Sequence, residues 1–235
     1  MIRFKIFEPY PQLFYTFSQK QDGGMSSSTR GFIKNRKNFF NKVNIPAQQV
    51  VMAGQIHSHN IAEVVEGAGG RSLKNVDGLI TYKKNIFLAG KSADCILAFF
   101  YAPTLAAVAV IHAGWRGILA GVAQSVVERL NRLGEKPQQI LVVLGPSIRG
   151  CHYQVQDDVA GLFAKEFSEQ VLARKNGQTF LDLQGSLIRQ LSGLGILPEH
   201  VEDCRICTYE SKDFFSARRD QPQVESFLGI VGIEL

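Results

Sequence analysis

The most regular hydrophobic feature of the chain lies between positions 95 and 112. There Cys-Ile-Leu-Ala-Phe-Phe-Tyr-Ala and Leu-Ala-Ala-Val-Ala-Val-Ile-His flank Pro103-Thr104. Two nearly unbroken apolar runs around a turn signal read as the buried strands of a hairpin. Residues 49–57 also have strand composition, with Gly54 marking a bend or bulge. Residues 140–144, Ile-Leu-Val-Val-Leu, form a buried strand that delivers Gly145-Pro146 to a loop, and residues 226–233 make the last strand. Helical spacing appears over 118–133, where Leu119, Val122, Val126, Val127 and Leu130 share one face and Gly134 and Pro137 close the element. Residues 157–175 and 181–194 read as two further helices. Strands dominate before Pro103 and alternate with helices after it, which predicts a mixed α/β architecture. The serine-rich stretch 26–29 reads as a mobile loop, and no internal repeat is visible.

The hairpin carries candidate chemistry at its ends. If it is symmetric about Pro103-Thr104, Cys95 and His112 face each other with Cβ atoms about 4.5–5.5 Å apart, close enough to share one metal ion. The strand reading of 49–57 puts His57 and His59 on one face, and either imidazole can complete the set. Two imidazoles and a thiolate are a borderline-soft donor set that suits zinc and leaves a fourth position for water or substrate. Spacing alone leaves other readings open. Cys95 can be a buried small hydrophobe and His112 a hydrogen-bonded core histidine. With His59 as a fourth ligand the zinc would be structural. A thiol beside an imidazole is also the nucleophile and base of a cysteine hydrolase acting on an amide or ester.

Composition narrows the classes. At 235 residues and 45% hydrophobic content, the chain can bury a sizeable core, and one domain over 1–235 is expected. No apolar stretch is long enough to span a bilayer and no signal sequence precedes Phe4, so a soluble cytoplasmic protein without membrane contact is expected. Four cysteines fit a reducing compartment. The net charge of +5 permits attraction to anions such as phosphate. No RNA-binding motif accompanies it, so no nucleic-acid partner is expected. Five histidines are too few for a multicopper cluster. A single copper in the same site would still support weak phenol oxidation.

Six ordered segments carry a resemblance. Gln55-Ile-His-Ser58, Asp77-Gly-Leu-Ile-Thr81, Ser92-Ala-Asp-Cys95, His112-Ala-Gly-Trp-Arg-Gly117, Gly145-Pro-Ser-Ile148 and Asp213-Phe-Phe-Ser216 with Arg218-Arg219-Asp220 resemble the YfiH/laccase-domain family. The match runs from about Phe17 to Asp220. Members of that family were first called polyphenol oxidases and are now described as purine nucleoside phosphorylases with adenosine deaminase activity. The resemblance implies a four-layer α/β/β/α fold and zinc held by His57, Cys95 and His112, favouring His57 over His59. It implies purine nucleosides (adenosine, inosine, methylthioadenosine) and phosphate as partners, in a monomer or weak homo-oligomer. Some members are connected with editing peptidoglycan precursors, which keeps the hydrolase alternative in view.

Around that centre, Gln55, Asp94, Trp115, Arg116, Arg149, His152 and Arg219 are the substrate-binding candidates. The arginines are positioned by glycine-rich or polar segments and suit a phosphate. Trp115 suits stacking on a purine, and Asp94 and His152 suit proton transfer. The chain departs from the family pattern at Lys20, where arginine is usual, and at Cys151-His-Tyr153, where Cys-Cys-Tyr is common. It also lacks the Gly-Arg-Gln that usually precedes the last strand. Cys204-Arg-Ile-Cys207 is a lone C-x-x-C without a second pair, which reads as coincidence.

Overall fold

The computed structural model describes residues 2–65 and 69–234. Its strands, in chain order, are β1 (Leu13–Phe17), β2 (Val50–Ala53), β3 (Ile61–Glu63), β4 (Ser72–Leu73), β5 (Gly78–Thr81), β6 (Phe87–Ser92), β7 (Ile96–Ala102), β8 (Ala107–Ala113), β9 (Leu141–Leu144), β10 (Gln154–Val155), β11 (Leu172–Lys175), β12 (Gln178–Leu181), β13 (Val201–Asp203) and β14 (Phe227–Ile233). The helices are α1 (Phe32–Lys42), α2 (Trp115–Leu119), α3 (Val122–Arg132), α4 (Asp157–Phe167) and α5 (Leu183–Gly193). The strands form a six-stranded sheet in the order β13-β9-β7-β8-β5-β3, a five-stranded sheet β1-β14-β6-β2-β4, and a small sheet β10-β12-β11.

Alternation along β7 explains the layering. Leu97, Phe99 and Tyr101 enter the core between the two large sheets, where they meet Phe17, Val51, Leu88 and Val231. Ile96, Ala98, Phe100 and Ala102 point the other way, onto α3 and α5 through Val122, Val126, Leu130, Leu187 and Leu191. Both faces of β7 are therefore dry, and its sequence is apolar at every position. The five-stranded sheet repeats the pattern. Phe87, Ala89, Leu228 and Ile230 cover Phe39 and Phe40 of α1, while Leu88 and Val231 point inward. The resulting order, α1, five-stranded sheet, six-stranded sheet, then the remaining helices, is a four-layer α/β/β/α arrangement.

Several elements differ from the sequence reading. The helix expected over 118–133 is two helices, because Gly121 adopts φ +84° between α2 and α3, a left-handed conformation that glycine takes without the Cβ penalty. The helix expected over 157–175 ends at Phe167, where Ser168 turns to φ +72°. Leu172 to Lys175 then pair with β12 in antiparallel register, placing Leu172 opposite Leu181. Leu181 itself is a strand residue, and α5 starts after Asp182, whose side chain accepts the Gly185 N–H at 3.0 Å as an N-cap. Strand β2 stops at Ala53, so His57 and His59 lie in a loop and not on one strand face. Among the described residues, no helix is long and apolar enough to cross a membrane.

Phe99 is fully buried and stacks on Phe17 at a centroid distance of 4.9 Å, joining the two large sheets. Phe99→Ala is expected to destabilise the fold by about 3–5 kcal/mol, measured as a shift in the urea midpoint at unchanged slope.

Candidate functional site

The β7–β8 hairpin pairs Leu97 with His112 and Ile96 with Ala113, so Cys95 does not oppose His112 as a symmetric turn would require. The turn is displaced: strand pairing begins at Ala102 and Ala107, and within the turn the Leu105 N–H bonds the buried Glu135 carboxylate at 3.1 Å. Continued by one residue, the register sets Cys95 against Gly114. A Cβ on Gly114 would lie 2.7 Å from Cys95 Sγ and 3.3 Å from a His57 ring carbon. The missing side chain is what lets the thiol and the imidazole come together there.

One buried carboxylate assembles the rest. Asp77 immediately precedes β5, which pairs antiparallel with β8, and the His112 N–H donates to the Asp77 carbonyl at 2.7 Å. Asp77 is wholly buried, and its carboxylate accepts five hydrogen bonds. They come from the backbone N–H of Ile56 (3.0 Å), His57 (3.0 Å) and Ser58 (2.7 Å), from the Ser58 hydroxyl (2.9 Å), and from His112 Nδ1 (2.9 Å). An ionised carboxylate only accepts, so Nδ1 of His112 carries a proton, and Nε2 is the nitrogen that a metal would take. The same contacts hold the 56–58 loop and fix His57 at φ +62°, a left-handed conformation rare for a residue with a Cβ. His57, Cys95 and His112 thus present ligand atoms that all lie within 4.8 Å of one another, with the two imidazole centroids 4.8 Å apart. His59 is not part of this group and lines a separate recess with Asn60 and Arg129.

Electrostatics follow from burial and proximity. Desolvation alone would raise the Asp77 carboxyl, but the bonds from His112, Ser58 and Ile56 outweigh it and hold the group well below the usual carboxylate range. Burial would likewise raise the Cys95 thiol. His112 and His57 overcome it and bring the thiol down to about 6. Burial would lower His112, yet Cys95 and Asp77 hold it up to about 9. In metal-free protein Cys95 and His112 therefore form a thiolate–imidazolium pair. The Cys95 contribution to stability is lost as pH falls through about 6, and that of His112 as pH rises through about 9.

His57 and Cys95 open onto a cavity of about 400 Å³ whose walls include Asp94, Trp115, Arg116, Tyr153 and Arg218. The Arg116 guanidinium lies over the Trp115 ring at 4.1 Å and that of Arg218 over Tyr153 at 5.3 Å. Burial pushes the Tyr153 phenol up to about 12, so it stays a neutral donor. Asp94, at φ +95°, accepts the Thr208 hydroxyl at 2.6 Å and the Arg218 N–H at 2.7 Å. Each carboxylate oxygen of Asp94 is thus engaged by protein.

Four residues predicted at the substrate are not among the cavity's described lining residues. Gln55 clamps β6, donating to the Lys91 carbonyl at 2.6 Å and accepting its N–H at 2.8 Å. Arg149 pairs with Asp203. The Arg219 guanidinium is spent on the carbonyls of Thr208, Tyr209, Ser211 and Phe214 and on Asp220. His152 stacks on Tyr209 beside Cys151 and Cys207. Sequence reasoning missed Asp77, Tyr153 and Arg218. The first was in view as the head of Asp77-Gly-Leu-Ile-Thr81, a charged residue opening an apolar strand, and its partner across the sheet was not.

A mixed four-layer fold with a compact His/Cys/His cluster at the mouth of an arginine- and aromatic-lined cavity defines a metal-binding class of α/β protein. The chain belongs to the YfiH/laccase-domain family. The family model described as "Multi-copper polyphenol oxidoreductase laccase" matches residues 25–234. The chain is 33% identical over 214 residues to the purine nucleoside phosphorylase YlmD of Bacillus subtilis, covering 86% of this chain and 77% of that protein. It is 31% identical over 209 residues to a purine nucleoside phosphorylase of Deinococcus radiodurans, covering 88% and 79%. The fold is similar to the crystal structures of Bacillus licheniformis YfiH (TM-score 0.88, 30% identity, 97% and 95% covered) and of Geobacillus stearothermophilus YlmD (TM-score 0.90, 27% identity, 97% and 94% covered).

In metal-free protein, iodoacetamide should label Cys95 at a rate that is flat from about pH 7 to 8.5 and half lost near pH 6. Peptide mapping reads the profile. A rate that climbs through about pH 8.5, as for an ordinary thiol, contradicts the ion pair.

Proposed function

We propose that the chain is a zinc-dependent purine nucleoside phosphorylase that also deaminates adenosine. The observation that carries this reading is the cavity onto which His57 and Cys95 of the cluster open together with two aromatic rings and two arginines. Two imidazoles and one thiolate within reach of one ion suit zinc, and the Gly114 gap that admits the sulfur is consistent with a ligand role for it. The family's descriptive name refers to several coppers. This chain has five histidines, of which His57 and His112 meet at Cys95, a donor set for one ion. When bound, zinc supplies a Lewis acid that polarises a substrate oxygen or lowers the pKa of water toward about 7.

The protein groups divide the remaining work. Trp115 and Tyr153 offer apolar faces for the purine. Arg116 and Arg218 each cover one face of these rings, which leaves the opposite faces for the base, and a guanidinium there can grip two phosphate oxygens. In phosphorolysis the phosphate oxygen bonds to C1′ of the ribose as the bond from C1′ to the purine nitrogen breaks, giving the free base and ribose 1-phosphate. The arginines bind and orient the phosphate. Tyr153, held protonated, donates a hydrogen bond to the leaving base. In deamination a water adds at C6 of adenine and ammonia leaves, giving inosine. Asp94 lines the cavity and positions Thr208 and the Arg218 backbone.

A second reading rests on the Asp77–His112–Cys95 chain itself, which has the order of orienting acid, base and thiol found in cysteine hydrolases. A zinc-held thiolate is not free to attack, so chelation separates the two. Loss of turnover on metal removal favours the phosphorylase. Amide or ester hydrolysis that survives chelation favours the hydrolase.

Chromatography of adenosine incubated with zinc-loaded protein tests the main reading. Adenine formed only when phosphate is present is expected, together with inosine in either buffer, and Cys95→Ala should abolish both products. Adenosine unchanged in both buffers contradicts it. Arg116→Ala and Arg218→Ala should each raise the phosphate KM about ten- to hundredfold, the loss of one charge-assisted contact of about 1.5–3 kcal/mol, with little change in the KM for adenosine.

A further inference from the structure

A second group of metal-binding side chains lies away from the cavity's described lining residues. Cys151, His152 and Cys207 bring their ligand atoms within 4.8 Å of one another. Cys151 Sγ is 3.0 Å and Cys207 Sγ 3.8 Å from the same nitrogen, His152 Nδ1. Glu210 adds a carboxylate oxygen 3.6 Å from that nitrogen and 3.9 Å from Cys151 Sγ. A tetrahedral zinc with Zn–S of about 2.3 Å and Zn–N or Zn–O of about 2.0–2.2 Å holds neighbouring ligand atoms about 3.4–3.8 Å apart. The 3.6, 3.8 and 3.9 Å separations lie close to that range and the 3.0 Å one is shorter; the two sulfurs and the nitrogen form the compact group, and the exposed Glu210 carboxylate stands beside it on the loop that carries Cys207. The His152 ring is already oriented, stacked on Tyr209 at 4.5 Å and 19°.

We propose that Cys151, His152 and Cys207, with the neighbouring Glu210 carboxylate turning in as fourth ligand, form a second zinc site, independent of the His57/Cys95/His112 cluster, that staples two loops of the cavity wall. One loop follows β9 and continues from Cys151-His152 into Tyr153, which lines the cavity. The other follows β13 and continues from Cys207 into Thr208, whose hydroxyl bonds Asp94. The backbone already registers the loops, through a parallel bridge between Ser147 and Cys207 and the bond from the Thr208 N–H to the Ser147 carbonyl. The carboxylate favours a divalent ion over copper(I), which prefers an all-sulfur set. The C-x-x-C spacing is not the ligand pair. Cys204 packs against the core between the sheets, and Cys207 finds its partner in Cys151. Histidine at position 152, where the family commonly has cysteine, supplies the nitrogen.

Native mass spectrometry of the full-length protein, reduced, loaded with zinc and desalted, tests the site. Two zinc ions per chain are expected in the unaltered protein and one in each of Cys95→Ser, Cys151→Ser and Cys207→Ser. None is expected in Cys95→Ser/Cys151→Ser. Cys151 is exposed, so its replacement leaves the core intact, and circular dichroism checks the fold of each variant. Cobalt in the Cys95→Ser protein should give a thiolate charge-transfer band that Cys151→Ser removes. A single zinc that vanishes in Cys95→Ser overturns the proposal, as does a second zinc retained in both Cys151→Ser and Cys207→Ser. A Cys151–Cys207 disulfide that persists in the reduced sample also overturns it.

Discussion

The site is organised by a carboxylate that belongs to no sheet ladder of its own. Asp77 is sealed from solvent, and a bare carboxylate there would be costly, so its five donors are a condition of the fold as much as a feature of the site. Three of those donors are successive backbone N–H groups, which forces the 56–58 loop to curl around the charge and turn His57 toward Cys95. Another is the His112 ring, whose tautomer the contact selects. Two metal-ligand candidates from distant parts of the chain are thus aimed by one residue, in the manner of the outer-sphere carboxylates that orient histidine ligands.

Two residues at the site have unusual backbone conformations. His57 and Asp94 both have positive φ, and each is held by hydrogen bonds from segments far away in sequence, His57 through Asp77 and Asp94 through Thr208 and Arg218. Conformations of this kind persist when the surroundings over-determine them, and they cluster where geometry is functional. The four-layer packing supplies the rigidity. Strands β7 and β8 are dry on both faces, so their ends, where Cys95 and His112 sit, cannot drift without disturbing two cores at once.

Elements with a strong local signal were legible in the sequence. The apolar runs around Pro103-Thr104 are β7 and β8, the run at 140–144 is β9 with one residue fewer, and the helix read over 181–194 is α5 at Leu183–Gly193. What misled was information held elsewhere in the chain. The hairpin turn is centred later than Pro103-Thr104, and the Leu105 N–H bonds the distant Glu135 outside the ladder. The strand at 172–175 exists because β12 pairs with it, although its own pattern extends a helix. His57, Cys95 and His112 were placed together by motif. Asp77 went unassigned because strand β5 reaches β8 across a long connection that one sequence does not disclose. Arg149 and Arg219 illustrate the converse error, since a guanidinium near a polar loop is as readily consumed by carbonyls and carboxylates of the protein as by a substrate.

Zinc affinity in Asp77→Asn, measured by chelator competition in the Cys151→Ser background so that only the cavity centre contributes, bears most directly on the role of this carboxylate. An amide cannot accept all five donors or fix the His112 tautomer, so a loss of about 10- to 100-fold is expected in a protein that remains folded by circular dichroism. An unchanged affinity would contradict the organising role of Asp77.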